Sequence, residues 1–160
     1  MLHTWPMKVR SATTADAKEI HALIRDSAEL DLMLFRSMAN IYENLQTFLI
    51  AHDEEAILGC CALAIVWEDL AEIKSLAVRP SARGCGVGKA LVNESLAMAR
   101  RMKIKRVFAL TLEAGFFAKA NFHEVTKESL PMKVWKDCAL CPKQHACDEI
   151  AVLRTVSSEA

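Results

Sequence analysis

Residues 83–91 read RGCGVGKAL, with glycine at every second position and then a lysine and an apolar run. Glycines let a backbone come close to a phosphate. A helix starting behind them would aim its unpaired N–H groups and the positive end of its dipole at the same point. The segment is not a P-loop, which needs glycine five residues before the Gly-Lys pair, where Arg83 stands, and a hydroxyl after the lysine, where Ala90 stands. A dinucleotide fingerprint fits poorly too, because Gly84, Gly86 and Gly88 alternate and Lys89 takes the third-glycine slot. What survives is a pyrophosphate cradle made by Arg83, Gly84, Cys85, Gly86, Val87, Gly88 and Lys89. The competing reading is a tight strand-to-helix turn that holds nothing.

Two further groups could do chemistry. Glu72, Lys74, Leu76 and Val78 alternate along AEIKSLAV, so the carboxylate and the ammonium share a strand face. Glu72 could take a proton there, or it could form a structural ion pair with Lys74 on a solvated edge. Cys138, Cys141, His145 and Cys147 offer the four ligands a tetrahedral zinc requires. Cys141-Pro142 starts a turn, however, and the spacing beyond it is irregular for a zinc knuckle, so reduced cysteines and no metal are expected.

The elements that must position these residues follow from periodicity and punctuation. A first strand is expected over residues 9–12, and Thr13-x-x-Asp16 opens a helix carrying Ile20, Leu23 and Ile24. Ser37 caps a second helix through Leu45. Strands over 47–51 and 57–66 flank the polar turn at 52–55, and a fourth over 72–78 stops at Arg79-Pro80. Behind the glycine turn, Val87, Leu91, Met98 and Met102 mark a helix face ending near Lys103; a strand over 106–111 and a short helix over 116–120 follow. The pattern predicts a mixed α/β layer domain.

Composition bounds the rest. The 160 residues are 52% hydrophobic, enough for one core, and no repeat or linker marks a second domain, so residues 1–160 are expected to form one, with a cysteine-bearing tail over 130–154. Twenty basic and twenty acidic side chains leave no net field for nucleic acid, so any anion must be held locally. No signal peptide or membrane-length apolar run is legible, which predicts a cytoplasmic protein. Cys60 and Cys61 read as small core residues.

In these residues the chain resembles the GNAT superfamily of N-acetyltransferases. Arg83-x-x-Gly86-x-Gly88 after a strand matches that superfamily's acetyl-CoA signature, and AGFFAKANFHEV is similar to its second cofactor segment. LMLFRS, VWEDLAEIKSLAV and the run from Leu130 to Val152 are similar to short-form N-acetylglutamate synthases. Phe117 stands where many members have tyrosine, which removes the usual general-acid candidate, and Asn121 replaces a common glycine.

The resemblance implies a largely antiparallel central sheet flanked by helices and acetyl-CoA as cosubstrate. It implies Glu72 as general base and backbone N–H groups of Leu76, Ala77 and Val78 on the pantetheine arm, with Leu76 also facing the thioester oxygen. Phe117 and Lys119 belong to the second cofactor segment. For an acidic amino acid, Arg36 and Lys74 are the candidate carboxylate ligands, with Lys133 behind them. Cys85 lies in the phosphate turn, which favours direct transfer over an acyl-enzyme. The activity implied is acetylation of L-glutamate, the first acetylation of arginine biosynthesis. Glutamine or another small amine, and a CoA-binding sensor with a metal-binding tail, stay open. The expected partner is a small amino acid, without nucleic acid or membrane, and a homodimer is allowed.

Overall fold

The computed structural model describes residues 6–29, 35–130 and 149–156. In chain order the elements are β1 (Lys8–Ser11), α1 (Ala17–Glu29), α2 (Met38–Glu43), β2 (Phe48–His52), β3 (Ile57–Trp67), β4 (Leu70–Val78), α3 (Val87–Arg101), β5 (Arg106–Thr111), α4 (Ala114–Ala118), β6 (His123–Val125) and β7 (Ile150–Thr155). Seven strands form one sheet in the order β1-β2-β3-β4-β5-β7-β6. β1 pairs antiparallel with β2, β2 with β3, β5 with β7 and β6 with β7, while β4 and β5 run parallel, so the sheet is mixed and mostly antiparallel. The parallel pair is joined through α3, as a parallel connection requires a crossover.

The described residues pack as two compact units, those within Met1–Ala64 and Ile73–Ala97, and those within Ile65–Glu72 and Met98–Ala160. In the first, Phe48, Ile50, Cys60, Ala62 and Ala77 pack against Ala17, Ile20 and Ile24 of α1 and Ile41 of α2. The neighbouring β3 residue Cys61 faces α3 instead, with its thiol 3.3 Å from Ser95 Oγ. Burial of β3 on both faces from Leu58 to Leu63 explains the first part of its apolar run, while Ile65 and Trp67 further along are exposed. It also confirms Cys60 and Cys61 as core thiols: desolvation holds Cys60 far above its ordinary range and pushes Cys61 up to about 12, so neither ionises near neutrality.

The first helix is entered through Asp16, whose Oδ2 accepts the Thr13 N–H at 2.7 Å while Arg10 grips both oxygens at 2.8 and 3.1 Å. Ser37 caps α2 by accepting the Asn40 N–H at 3.1 Å, but that helix stops at Glu43, short of the expected Leu45, and continues as a 3-10 turn.

In the second unit, Leu70, Phe108, Leu130 and Ala151 form the core, flanked by Val66, Leu110, Val125 and Leu153. β6 and β7 have no counterpart among the expected strands: β6 is three residues long, and IAVLRT lies beyond the cysteine run that dominates the reading of the tail. Met102 is also corrected. It is 47% exposed, because the buried apolar positions of α3 are Val87, Leu91, Val92, Leu96 and Ala99, with Ser95 buried beside them, and the helix ends one residue before it.

Candidate active site

β4 ends at Val78, and Arg79 leads out of the sheet through tight turns. Ala82 N–H donates to Arg79 O at 2.8 Å, Arg83 N–H to Pro80 O at 3.3 Å and Cys85 N–H to Ala82 O at 3.4 Å. Gly84 and Gly86 then take φ of 78° and 84°, left-handed values that cost a residue with a Cβ about 1–2 kcal/mol. Among the described residues, a Cβ on either glycine would meet nothing within 4 Å, so they leave open space before the turn. None of these neighbours demands glycine there; the backbone conformation does, and a ligand entering that space would do so as well.

The turn feeds directly into α3, whose first bond runs from Ala90 N–H to Gly86 O at 3.0 Å. The N–H groups of Gly86, Val87, Gly88 and Lys89 therefore have no partner within the helix. Buried Ala82 and Val87 anchor the two ends of the turn, while Arg83 and Lys89 stay exposed. The first turn of α3 carries no acidic residue. Aligned donors, a helix dipole, two cations and open space fit a pyrophosphate.

β4 is less regular than its alternating sequence suggests. Ile73 and Ala77 are buried, whereas Lys74, Leu76 and Val78 are half-buried. Between them Ser75 has φ 56°, a left-handed conformation inside a strand worth about 1–3 kcal/mol of strain. Its carbonyl accepts the Cys60 thiol at 3.6 Å. Nothing in the residue types marks Ser75, since the usual residues in that region are glycine and asparagine.

Gly59 of β3 did carry a signal, because a lone glycine within a strand pattern marks a close backbone approach. Its Cβ would lie 2.9 Å from both Ala77 O and Val87 Cγ1.

Arg36 directly precedes the Ser37 cap. It is half-buried, its Nη1 lies out of solvent, and the guanidinium carbon sits 5.1 Å from the centroid of the Phe48 ring. The ring face offsets part of the desolvation of the guanidinium. Arg36 and Lys74 lie in the first unit, as do Leu76–Val78 and the turn through Lys89.

The second unit holds Glu72, Phe117 and Lys119. Glu72 is half-buried and sits at the last registered position of the parallel ladder, opposite Phe108. Phe117 is buried, with ring centroids 5.2 Å from Phe116 and 5.1 Å from Phe122 in edge-to-face contact. Lys119 is exposed.

The aromatic pair belongs to a helix stop. Phe122 N–H donates to Phe117 O at 3.1 Å and Asn121 N–H to Ala118 O at 3.0 Å, with Asn121 at φ 67°. That is a Schellman motif, whose left-handed residue is usually glycine and sometimes asparagine. Asn121 thus meets the conformational demand of the glycine it replaces.

Among the described residues no three His, Cys, Asp or Glu side chains group as metal ligands. Lys133, Cys138, Cys141, His145 and Cys147 lie outside the described residues.

Residues 14–125 match the acetyltransferase (GNAT) family. The chain belongs to this family. Acetyl-CoA is the cosubstrate of GNAT acetyltransferases. An uncharacterized N-acetyltransferase of Chlorobaculum tepidum is 42% identical over 92% of this chain and 96% of its own length. An amino-acid acetyltransferase of Mycobacterium tuberculosis is 35% identical over 81% of this chain and 75% of its own length. Among solved structures, Neisseria gonorrhoeae N-acetylglutamate synthase complexed with coenzyme A and N-acetyl-glutamate superimposes with a TM-score of 0.85 at 29% identity. That alignment covers 94% of this acetyltransferase but 35% of the synthase chain.

Proposed function

We propose that this acetyltransferase moves the acetyl group of acetyl-CoA to the α-amino group of L-glutamate, and so serves the first acetylation of arginine biosynthesis. The observation that carries the reading is the open, glycine-conformed turn at the start of α3. The amino-acid acetyltransferase and N-acetylglutamate synthase relatives support the substrate class.

In this reading the turn from Arg83 to Lys89 binds the pyrophosphate. Leu76, Ala77 and Val78 offer backbone groups to the pantetheine arm, and the Leu76 N–H stabilises negative charge on the thioester oxygen. Phe117 acts from within its aromatic cluster by shaping the cofactor segment, and Lys119 adds a surface cation. Glu72 accepts a proton from the incoming ammonium, directly or through water, which frees the amine to attack. A nitrogen–carbon bond forms, the carbon–sulfur bond breaks, the thiolate leaves, and the nitrogen gives up its second proton to solvent. Phe117 has no proton to give, so solvent protonates the thiolate. Arg36 and Lys74 hold the substrate carboxylates. Cys85 sits between the two left-handed glycines of the phosphate turn, a placement that supports direct transfer.

The test is a panel of free amino acids with acetyl-CoA, read as thiol release. L-Glutamate is expected to give the highest kcat/KM. A higher value for glutamine or another amine would reassign the substrate. Tight CoA binding with no turnover on any amine would favour a sensor.

A further inference from the structure

Arg79 lies outside the cofactor signature, yet three elements meet on it. Its backbone N–H donates to Leu58 O at 2.8 Å, and its Nε donates to Ile57 O at 2.9 Å. Its Nη2 reaches Glu19 Oε2 in the first turn of α1 at 3.2 Å. One residue therefore grips two consecutive carbonyls of β3 from the mouth of the phosphate turn. The ladder of β2 with β3 shifts register between Ala51 and His52, close to where His52 pairs with Ile57. Such an irregularity disrupts ladder bonding, and the guanidinium supplies a donor to the Ile57 carbonyl there.

Downstream, the Arg79 carbonyl accepts the Ala82 N–H at 2.8 Å, the first of the turns that lead to Gly84 and Gly86. The adjoining residue Gly59 completes the seat. Its missing Cβ leaves room for Ala77 O and Val87 Cγ1, which a Cβ would meet at 2.9 Å, and for Leu91 Cδ1 at 3.3 Å. Residues 57–59 thus support both the strand before the turn and the helix after it.

We propose that Arg79, clamped on Ile57 and Leu58 beside Gly59, is a positioning residue that fixes the phosphate turn for acetyl-CoA without touching it. The proposal rests on the cradle reading of that turn. Lysine cannot replace Arg79, because the bond to Ile57 O comes from Nε, which has no equivalent in a lysine side chain.

Steady-state kinetics and CoA calorimetry on the full chain test it with Arg79→Ala, Arg79→Lys, Gly59→Ala and Glu19→Ala. The two Arg79 variants and Gly59→Ala are expected to raise KM for acetyl-CoA and Kd for CoA by about 10-fold. In all three, kcat at saturation and KM for the amino acid should stay within about twofold, a split that global destabilisation would not give. Glu19→Ala loses only an exposed ion pair and should behave as wild type.

Wild-type CoA affinity in Arg79→Lys overturns the proposal, as does an equal fall in kcat. Should Arg79→Ala fail to fold, Arg79→Lys and Gly59→Ala decide the matter by the same split. Failure of the underlying cradle would look different, because Gly86→Val would then also bind CoA as wild type does.

Discussion

In the proposed reaction Glu72 and Arg36 are expected to act through different kinetic constants. Glu72→Gln keeps the shape and removes the proton acceptor, so turnover at neutral pH should fall by about 10²–10⁴ with CoA affinity little changed. The deficit should shrink at high pH, where more substrate amine is already neutral. A wild-type rate in the variant returns Glu72 to an ion-pair role on its strand. Arg36→Ala should instead raise KM for glutamate by 10-fold or more while KM for acetyl-CoA holds, since a charge-assisted contact to one ligand is lost. Its stack on Phe48 allows a second outcome: a fall in melting temperature with both KM values unmoved would make Arg36 a packing residue. The residue types Glu72 and Arg36 were legible in the sequence, whereas the left-handed backbone of Ser75 was not, because a serine in AEIKSLAV looks like any other strand residue.

Helix boundaries show how local rules became structure, and where they can be tested. Arg10 holds the Asp16 carboxyl down to about 2 from 3.8, aided by the Thr13 N–H, with burial opposing both. Because the folded value is depressed, the contribution is complete above the unfolded value and is lost as pH falls towards the folded one. Allowing for the half-exposed Arg10, Asp16→Asn should cost about 1–2 kcal/mol at neutral pH, and the gap from wild type should close between about pH 5 and about pH 2 in urea unfolding. A constant gap across that range would contradict the ion pair. At the far end of α3, Ile104 N–H donates to Ala99 O at 2.9 Å and Lys103 N–H to Arg100 O at 3.0 Å, with Lys103 at φ 61°. Lys103→Gly should therefore raise stability by about 0.5–1 kcal/mol; a loss would mean the lysine side chain contributes more than its backbone costs. The capping signals at Thr13-x-x-Asp16 and Ser37 were readable because they are local. Lys103 was not, since no pattern demands a lysine in that conformation.

For the molecule as a whole, much of the mixed sheet was legible because its first five strands carry period-two or continuous apolar patterns closed by turns. The last two were not. β6 is too short to show a period, and β7, though IAVLRT is an apolar and β-branched run that pairs with β5 and β6, follows directly on the cysteine-rich stretch whose ligand spacing stands out more. That placement changes how the cysteine tail should be tested, because truncation after Leu130 would remove β7 from the sheet as well. Cys138→Ser with Cys141→Ser is the cleaner experiment: folding and glutamate turnover should match wild type, and metal analysis should find no stoichiometric zinc. One zinc per chain, lost in the double variant together with activity, would establish a metal knot instead.

The measurement that bears most directly on the central claim compares CoA with pantetheine, which lacks the diphosphate, by calorimetry on wild type and Gly86→Val. Valine at a left-handed position facing open space should both strain the turn and fill the cradle. Gly86→Val is expected to weaken CoA by 10-fold or more while leaving pantetheine affinity unchanged; equal CoA affinity in the two proteins would mean that the turn does not cradle the diphosphate.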